Sequence, residues 1–166
     1  MRLDTPRTIV RSWTPADIPA YARIVADPQV MRFIADGSVH TYAQAEVVVR
    51  TMMRAERERG WAQWAVDDKA SGALMGFCGF GILDGKIDFG YRFARQFWGR
   101  GLGTEVARTV LDYGVKTYGL SNTTAMAFVE NTASIRILEK IGFVFEQHSR
   151  RYGRKVAHYT YSPEPA

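Results

Sequence analysis

Between Trp61 and Val129 the spacing of the apolar residues changes period, and that change leaves few architectures open. Trp61 to Val66 alternates as a strand does, Ala73 to Leu83 is an apolar strand containing glycines, and Lys86 to Phe93 is a third. Asp67 to Gly72 and the hairpin signal Asp84-Gly85 join them, and both are too short for a crossover, so the three strands form an antiparallel meander. The chain then takes helical spacing from Gly101 to Tyr118, with Val106, Val110, Leu111 and Val115 apolar and Gly119 as the stop. Thr123 to Val129 returns to strand formers. A strand, a helix and a strand in that order favour neighbouring parallel strands at this point. The expected class is α/β with a mixed sheet.

The flanking segments add to this frame. Thr8 to Arg11 is a short strand candidate. Thr14-Pro15-Ala16-Asp17 has a capping Thr, Pro at the first helical position and an acid at the third, which predicts a helix running to about Ala26. Thr41 and Gln44 fit a capping box that opens a helix over Tyr42 to Arg59, closed by Gly60 with Arg57 and Arg59 in its last turn. Thr132 to Ile141 reads as a short helix ended by Gly142. Phe143 to Phe145 and Val156 to Tyr161 read as two last strands, and Ser162 to Ala166 as a loose tail. With no repeat, linker or low-complexity tract, residues 1–166 are expected to form one domain.

Composition matters mainly for what it excludes. Hydrophobic residues make up 46% and charged residues 23%, which suits a packed globular chain and not a disordered one. No apolar run approaches a membrane span and no signal-peptide core follows Met1, so the default expectation is a cytoplasmic protein without a membrane partner. The lone Cys78 allows neither an internal disulfide nor a cysteine zinc cluster, and it reads as a small core residue. Three scattered histidines, His40, His148 and His158, suggest no metal. The net charge of +5 is compatible with nucleic acid or with a polyanionic small molecule. Its one local concentration is Arg150, Arg151, Arg154 and Lys155. No RNP-like aromatic motif or zinc-finger spacing accompanies it, which ranks nucleic acid below the small anion.

The segment Gln96-Phe97-Trp98-Gly99-Arg100-Gly101-Leu102-Gly103-Thr104 stands between a strand and a long helix. Glycines at alternate positions let a ligand approach the backbone, and the amides at the helix N-terminus form a nest suited to phosphate, with Arg95 and Arg100 adding charge. No Gly-Lys-Ser/Thr follows, so this is not a Walker A loop. The Gly-x-Gly-x-Gly spacing after a meander is a poor dinucleotide fingerprint, and a turn without a ligand remains the alternative.

Gln96-x-x-Gly99-x-Gly101 resembles the Gln/Arg-x-x-Gly-x-Gly/Ala pyrophosphate motif of the GNAT acetyltransferase superfamily. Asp88-Phe89-Gly90-Tyr91-Arg92 is similar to the strand that precedes the loop in that superfamily. Glu130-Asn131-Thr132-Ala133-Ser134, leading on to Glu139-Lys140-Ile141-Gly142-Phe143, is similar to the segment that follows the crossover. The resemblance covers about a third of the chain strongly, Asp88 to Phe143, and points to the branch holding the ribosomal-protein N-terminal alanine and serine acetyltransferases. It implies a mostly antiparallel sheet whose parallel strand pair splays apart, with flanking helices. It also implies acetyl-CoA as co-substrate, no metal, an amine acceptor (a protein N-terminus or a small amine) and homodimerisation.

The resemblance also implies site residues. Backbone groups of Tyr91, Arg92 and Phe93 pair with pantetheine, and Gln96, Gly99, Arg100, Gly101, Leu102, Gly103 and Thr104 supply the pyrophosphate cradle. A backbone N–H of Gly90 or Tyr91, beside a bulge in the strand, polarises the thioester carbonyl. Asn131 contacts the pantetheine arm, although its place before a helix equally makes it an N-cap. Ser134 protonates the departing thiolate, directly or through water, or is an ordinary helix hydroxyl. Many members carry a Tyr as general acid where this chain has Leu138. That departure leaves open an alternative, a catalytically inactive module that binds or senses acyl-CoA. Asp88, an acid in an otherwise apolar strand, is the first candidate base, with a salt bridge as its structural alternative; Glu130 is the second. Phe33, Ile34, Tyr42 and the loop Asp36 to His40 fall where the family builds its acceptor wall, while Trp13, Trp61, Trp64 and Trp98 are expected in the core.

Overall fold

The computed structural model describes residues 1–163, so the last three residues of the expected tail, 164–166, lie outside the described residues. The strands are β1 (Arg2–Asp4), β2 (Thr8–Arg11), β3 (Gln63–Asp68), β4 (Leu74–Leu83), β5 (Lys86–Phe93), β6 (Thr123–Phe128), β7 (Val144–Arg151) and β8 (Arg154–Tyr161). The helices are α1 (Ile18–Val25), α2 (Pro28–Met31), α3 (Tyr42–Arg59), α4 (Leu102–Tyr118) and α5 (Thr132–Lys140), with 3₁₀ turns at Pro15–Asp17 and Arg95–Phe97. One eight-stranded sheet runs β1-β2-β3-β4-β5-β6-β8-β7. Every neighbouring pair is antiparallel except β5 and β6. This is the mixed α/β architecture expected above.

Several boundaries follow from local chemistry. Thr41 and Gln44 form the reciprocal capping box, and Gly60 closes α3 at φ 83°. Asp84 and Gly85, at φ 50° and 74°, make the tight turn that sets the β4–β5 register. Thr14 and Asp17 cap the 3₁₀ turn that runs into α1. The last two strands are longer than expected, a continuous hairpin turned at Tyr152 and Gly153, both at positive φ. The basic cluster lies within it and not in a loop. The first helix stops at Val25, close to the expected Ala26, and a four-residue α2 that the sequence analysis does not include follows, capped by Asp27.

Side chains of β4 alternate between two layers. Phe77 meets Tyr21 of α1 on one face; Phe80 lies under Gly114 of α4 on the other. A single cluster of buried apolar residues spans both layers, from Tyr21 and Met31 to Val106 and Leu138. Cys78 is in it as expected, fully buried, with its thiol pushed up by burial. Trp13 and Trp64 are core residues too, whereas Trp98 is 47% exposed because its indole N–H turns back to donate to the Phe93 C=O at 2.8 Å.

The feature that positions the site is the seam between β5 and β6. β4 and β5 pair over eight consecutive positions, but β5 and β6 register only at Asp88 and Thr124. Beyond that point the two parallel strands part. The expected bulge in β5 is absent, since its register with β4 is unbroken. The opening is made by divergence of the strands.

A candidate active site at the parted strands

Antiparallel pairing turns alternate residues of β5 toward β4. The phase is marked by Ala94, whose N–H donates to the Met75 C=O, and by Thr124, whose hydroxyl reaches the Ile87 C=O from the other side at 3.1 Å. The N–H and C=O of Gly90 and Arg92 are therefore spent on β4. Those of Tyr91, and the N–H of Phe93, face the open seam. The backbone roles expected for Tyr91, Arg92 and Phe93 thus separate: Arg92 has no backbone group to offer a ligand in the seam, and between Gly90 and Tyr91 only Tyr91 has an N–H there.

The same alternation sorts the side chains. Asp88, Gly90 and Arg92 lie on the α1 face, and Phe89, Tyr91 and Phe93 on the α4–α5 face. A cavity of about 240 Å³ connects the two layers through the seam, and its lining includes Asp88, Gly90, Tyr91, Arg92, Asn131 and Ser134. Phe33 and Ile34, expected in the acceptor wall, line it as well, with Gln63, Arg151 and Tyr152.

On the α1 face, burial pushes the Asp88 carboxyl up to about 7, against the opposing pull of the Thr124 hydroxyl at 3.4 Å and the Arg151 charge. Among the described residues no ion pair holds it; Arg151 binds Asp84. On the α5 face the Tyr91 hydroxyl donates to the Ser134 C=O at 2.8 Å, with Ser134 Oγ 3.0 Å away. The phenol has one proton and the carbonyl takes it, so the Ser134 hydroxyl is free to donate to Tyr91 Oη or into the seam. Burial keeps the phenol protonated by raising its pKa. Asn131 caps α5 through its side-chain oxygen, which accepts from Ser134 N–H at 3.3 Å; its amide NH₂ remains for the cavity.

The glycine loop continues from the end of β5. Gly99 and Gly101 are left-handed at φ 71° and 75°, and Gly101 is the N-cap of α4. These values favour glycine and turn the first amides of α4 outward. Leu102 is buried, so only its backbone belongs to the nest. Gly103 has another cause: a Cβ there would lie 3.0 Å from Ile137 Cδ1 and 3.4 Å from the Phe93 ring, so it lets α4, α5 and β5 pack. Arg100 is exposed and its C=O accepts from Arg7. Arg7, which the sequence did not single out, also grips Glu105 and places a guanidinium beside Gly101. Thr104 is half-buried in the first turn of α4.

Two expected residues stand apart. Glu130 is exposed, is absent from the cavity lining and pairs with Arg154 at 3.6 Å; it lies in the turn after β6, beside the hairpin that captures it. Gln96 lines a different cleft, of about 520 Å³, where β4 starts and β5 has ended. Most of the charges that line that larger cleft pair with one another, Arg11 with Asp17 and Asp67, and Arg95 with Asp27. Against the desolvation of burial, Arg11 and Thr14 hold its Asp17 carboxyl below the usual carboxylate range, so that acid is a fixed partner of Arg11. The residues missed at the seam are the Tyr91 hydroxyl, the Arg92 side chain, Gln63 and Arg151. Strand alternation was the signal that would have found the first two.

The sequence profile of the acetyltransferase (GNAT) domain matches residues 7–144. A Bacillus subtilis relative described as the uncharacterized N-acetyltransferase YoaA is 30% identical over 153 residues, which is 90% of this chain and 86% of that protein. A second, YkkB of the same organism, described only as uncharacterized, is 33% identical over 139 residues, 80% of this chain and 78% of that protein. Among solved structures, a GNAT-family acetyltransferase from Bacillus anthracis superposes with a TM-score of 0.84 at 24% identity over 98% of both chains. A ribosomal L7/L12 α-N-protein acetyltransferase, RimL, solved with coenzyme A, shares the fold with a TM-score of 0.84 at 14% identity, also over 98% of both chains.

Proposed function

The chain belongs to the GNAT acetyltransferase family, and on that footing we propose that it moves an acetyl group from acetyl-CoA to a primary amine by direct attack in a ternary complex. The observation that carries this reading is one cavity, opened by the parting of β5 and β6, with a half-buried Asp88 carboxyl raised to about 7 on one face and Ser134 with Tyr91 on the other. A base and a hydrogen-bond donor on opposite sides of the seam suit a reaction in which the donor enters from one layer and the acceptor from the other.

On this reading Tyr91 and Phe93 offer free backbone groups to the pantetheine arm, and the amides from Gly99 to Thr104 cradle the pyrophosphate, with Arg7 and Arg100 adding charge. The Tyr91 N–H polarises the thioester carbonyl where negative charge develops. Asp88 takes one proton from the incoming ammonium. A carboxyl near 7 is a far better acceptor at neutral pH than one near 4, because its basicity lies closer to that of the amine. The amine attacks the carbonyl carbon, the C–S bond breaks, and the second amine proton ends on the CoA sulfur. Ser134 is the hydroxyl that donates to that sulfur, and Tyr91 holds it in place. Leu138 is buried and has no proton to give.

Calorimetry with acetyl-CoA tests the first half, and CoA release on a panel of amines and peptide N-termini tests the second. Micromolar binding, abolished by Gly101→Glu at the left-handed cap of α4, is the expected result. Binding without release on any acceptor would favour the acyl-CoA-sensing alternative. Absence of binding would overturn the proposal.

A further inference from the structure

Three guanidiniums bear on the acceptor side of the cavity, and their partners differ. Arg151 pairs with Asp84. Arg154 pairs with Glu130, donates to the Arg32 C=O and lies over the Phe128 and Phe33 rings. Arg92, which lines the cavity itself, has no carboxylate partner among the described residues. Its Nη1 donates to the Tyr21 hydroxyl at 2.8 Å, and its guanidinium sits 5.2 Å from the centre of the Phe77 ring. Among the described residues the buried Nε has no partner and Nη2 makes no hydrogen bond. A guanidinium with its Nε–Nη2 edge unspent has the donor spacing of a carboxylate clamp. Leaving it unsatisfied is unfavourable, and an anion entering with the substrate removes that penalty.

The surroundings agree. His40 has a buried Nδ1 without a partner among the described residues, and burial together with the Arg92 charge keeps its pKa low. No acid competes for Arg92 from β5: Asp88 is four residues away on the same face, about 13 Å along the strand, and side-chain-free Gly90 lies between them. The amide of Gln63 reaches across this gap; a Cβ on Gly90 would come within 3.1 Å of its Nε2. The floor therefore runs from a proton acceptor, over a bare stretch beside the Tyr91 N–H, to an unpaired cation. Two arginines, Arg92 and Arg151, in the lining of a cavity of about 240 Å³ disfavour polyamines and aminoglycosides on charge and on size.

We propose that the acceptor is a small amine that also carries a carboxylate, an amino acid or short amino-acid derivative, whose carboxylate is held by Arg92 while its amine faces Asp88 and the thioester. This rests on the transferase reading above. The test uses pairs of acceptors that differ only in the anion: β-alanine, γ-aminobutyrate, ε-aminocaproate and glycylglycine, each against its amide. CoA release is measured for the full-length protein and for Arg92→Gln and Arg92→Lys. For the best pair the acid should exceed the amide in kcat/KM by ~10-fold or more, the contribution of one charged hydrogen-bonded contact. Arg92→Gln should bring the ratio to within about 3-fold of one, and Arg92→Lys should restore part of it. Calorimetry of each variant with acetyl-CoA shows that the donor site is intact. Equal turnover of acids and amides by the wild type, or a preference that survives Arg92→Gln, would overturn the assignment while leaving the transferase standing. If no amine is turned over, the transferase reading is what fails. Saturation-transfer NMR with N-acetyl-γ-aminobutyrate then still decides the anion site, through binding by wild type and loss of it in Arg92→Gln, or no difference.

Discussion

Asp88→Asn separates two consequences of burying a carboxyl. The folded protein holds Asp88 at about 7 against an ordinary 3.8, with burial as the main cause. The native state thus binds the Asp88 proton more tightly than the unfolded chain does. Below about pH 4 both states are protonated and the group has no effect. As pH rises the penalty grows, and it is complete once pH exceeds about 7. At ~1.4 kcal/mol per pH unit the full penalty has a ceiling of about 4 kcal/mol. Linkage leaves about 2 kcal/mol of it at pH 5, so the advantage of the variant should widen by about 2–3 kcal/mol between pH 5 and pH 8. For a chain of this size that is on the order of 5–10 °C in Tm. Thermal unfolding at the two pH values measures it without any acceptor. The same variant should lose ~10²-fold or more in kcat/KM, together with the rise in rate that the wild type shows as pH passes 7. Comparing both proteins on one acceptor cancels the ionisation of the amine itself. A Tm difference that does not change with pH would refute the argument that burial raises this group, and a rate loss under about 10-fold would remove Asp88 as the base.

On the opposite face, Ser134→Ala should lower kcat by ~10-fold or more with little change in KM for acetyl-CoA, and Tyr91→Phe should do the same more mildly because the serine keeps its hydroxyl but loses its holder; steady-state kinetics checks both. Gly114→Ala should destabilise the fold by ~3 kcal/mol, since the new Cβ would stand 2.2 Å from Phe80 Cε2, and should leave acetyl-CoA affinity nearly unchanged; thermal unfolding and calorimetry separate the two effects.

The elements that were legible in the sequence are those whose ends carry their own chemistry. α3 runs from the Thr41–Gln44 box to Gly60, and β5 begins at a turn that needs two positive φ values, so both follow from local rules. β1 is three residues, two of them charged, and it exists only because β2 pairs with it. β7 is exposed along most of its length, and its polar sequence reads as loop until β8 lies beside it. The site divides in the same way. The glycine loop, Asp88, Asn131 and Ser134 sit in segments with a recognisable pattern, and the structure brings the last three to one cavity. Glu130 has the pattern but is drawn away by Arg154, a partner 24 residues later in the chain. The Arg92 guanidinium and the Tyr91 hydroxyl carry no motif. Their use depends on which layer each faces, and the register across three strands decides that.

The parted seam has one more consequence. A sheet that stops pairing halfway along an inner strand is an incomplete fold, with unspent peptide groups on Tyr91 and Phe93 held open by their neighbours. On the proposed reading the acyl donor lies there as a surrogate strand, and its binding energy adds directly to that of folding. With donor at a hundred times its Kd the native state gains about 2.7 kcal/mol. The endurance of each copy against heat and proteases is thereby indexed to the acyl-donor supply around it, and starvation for the donor would shorten the protein's life as well as slow its turnover.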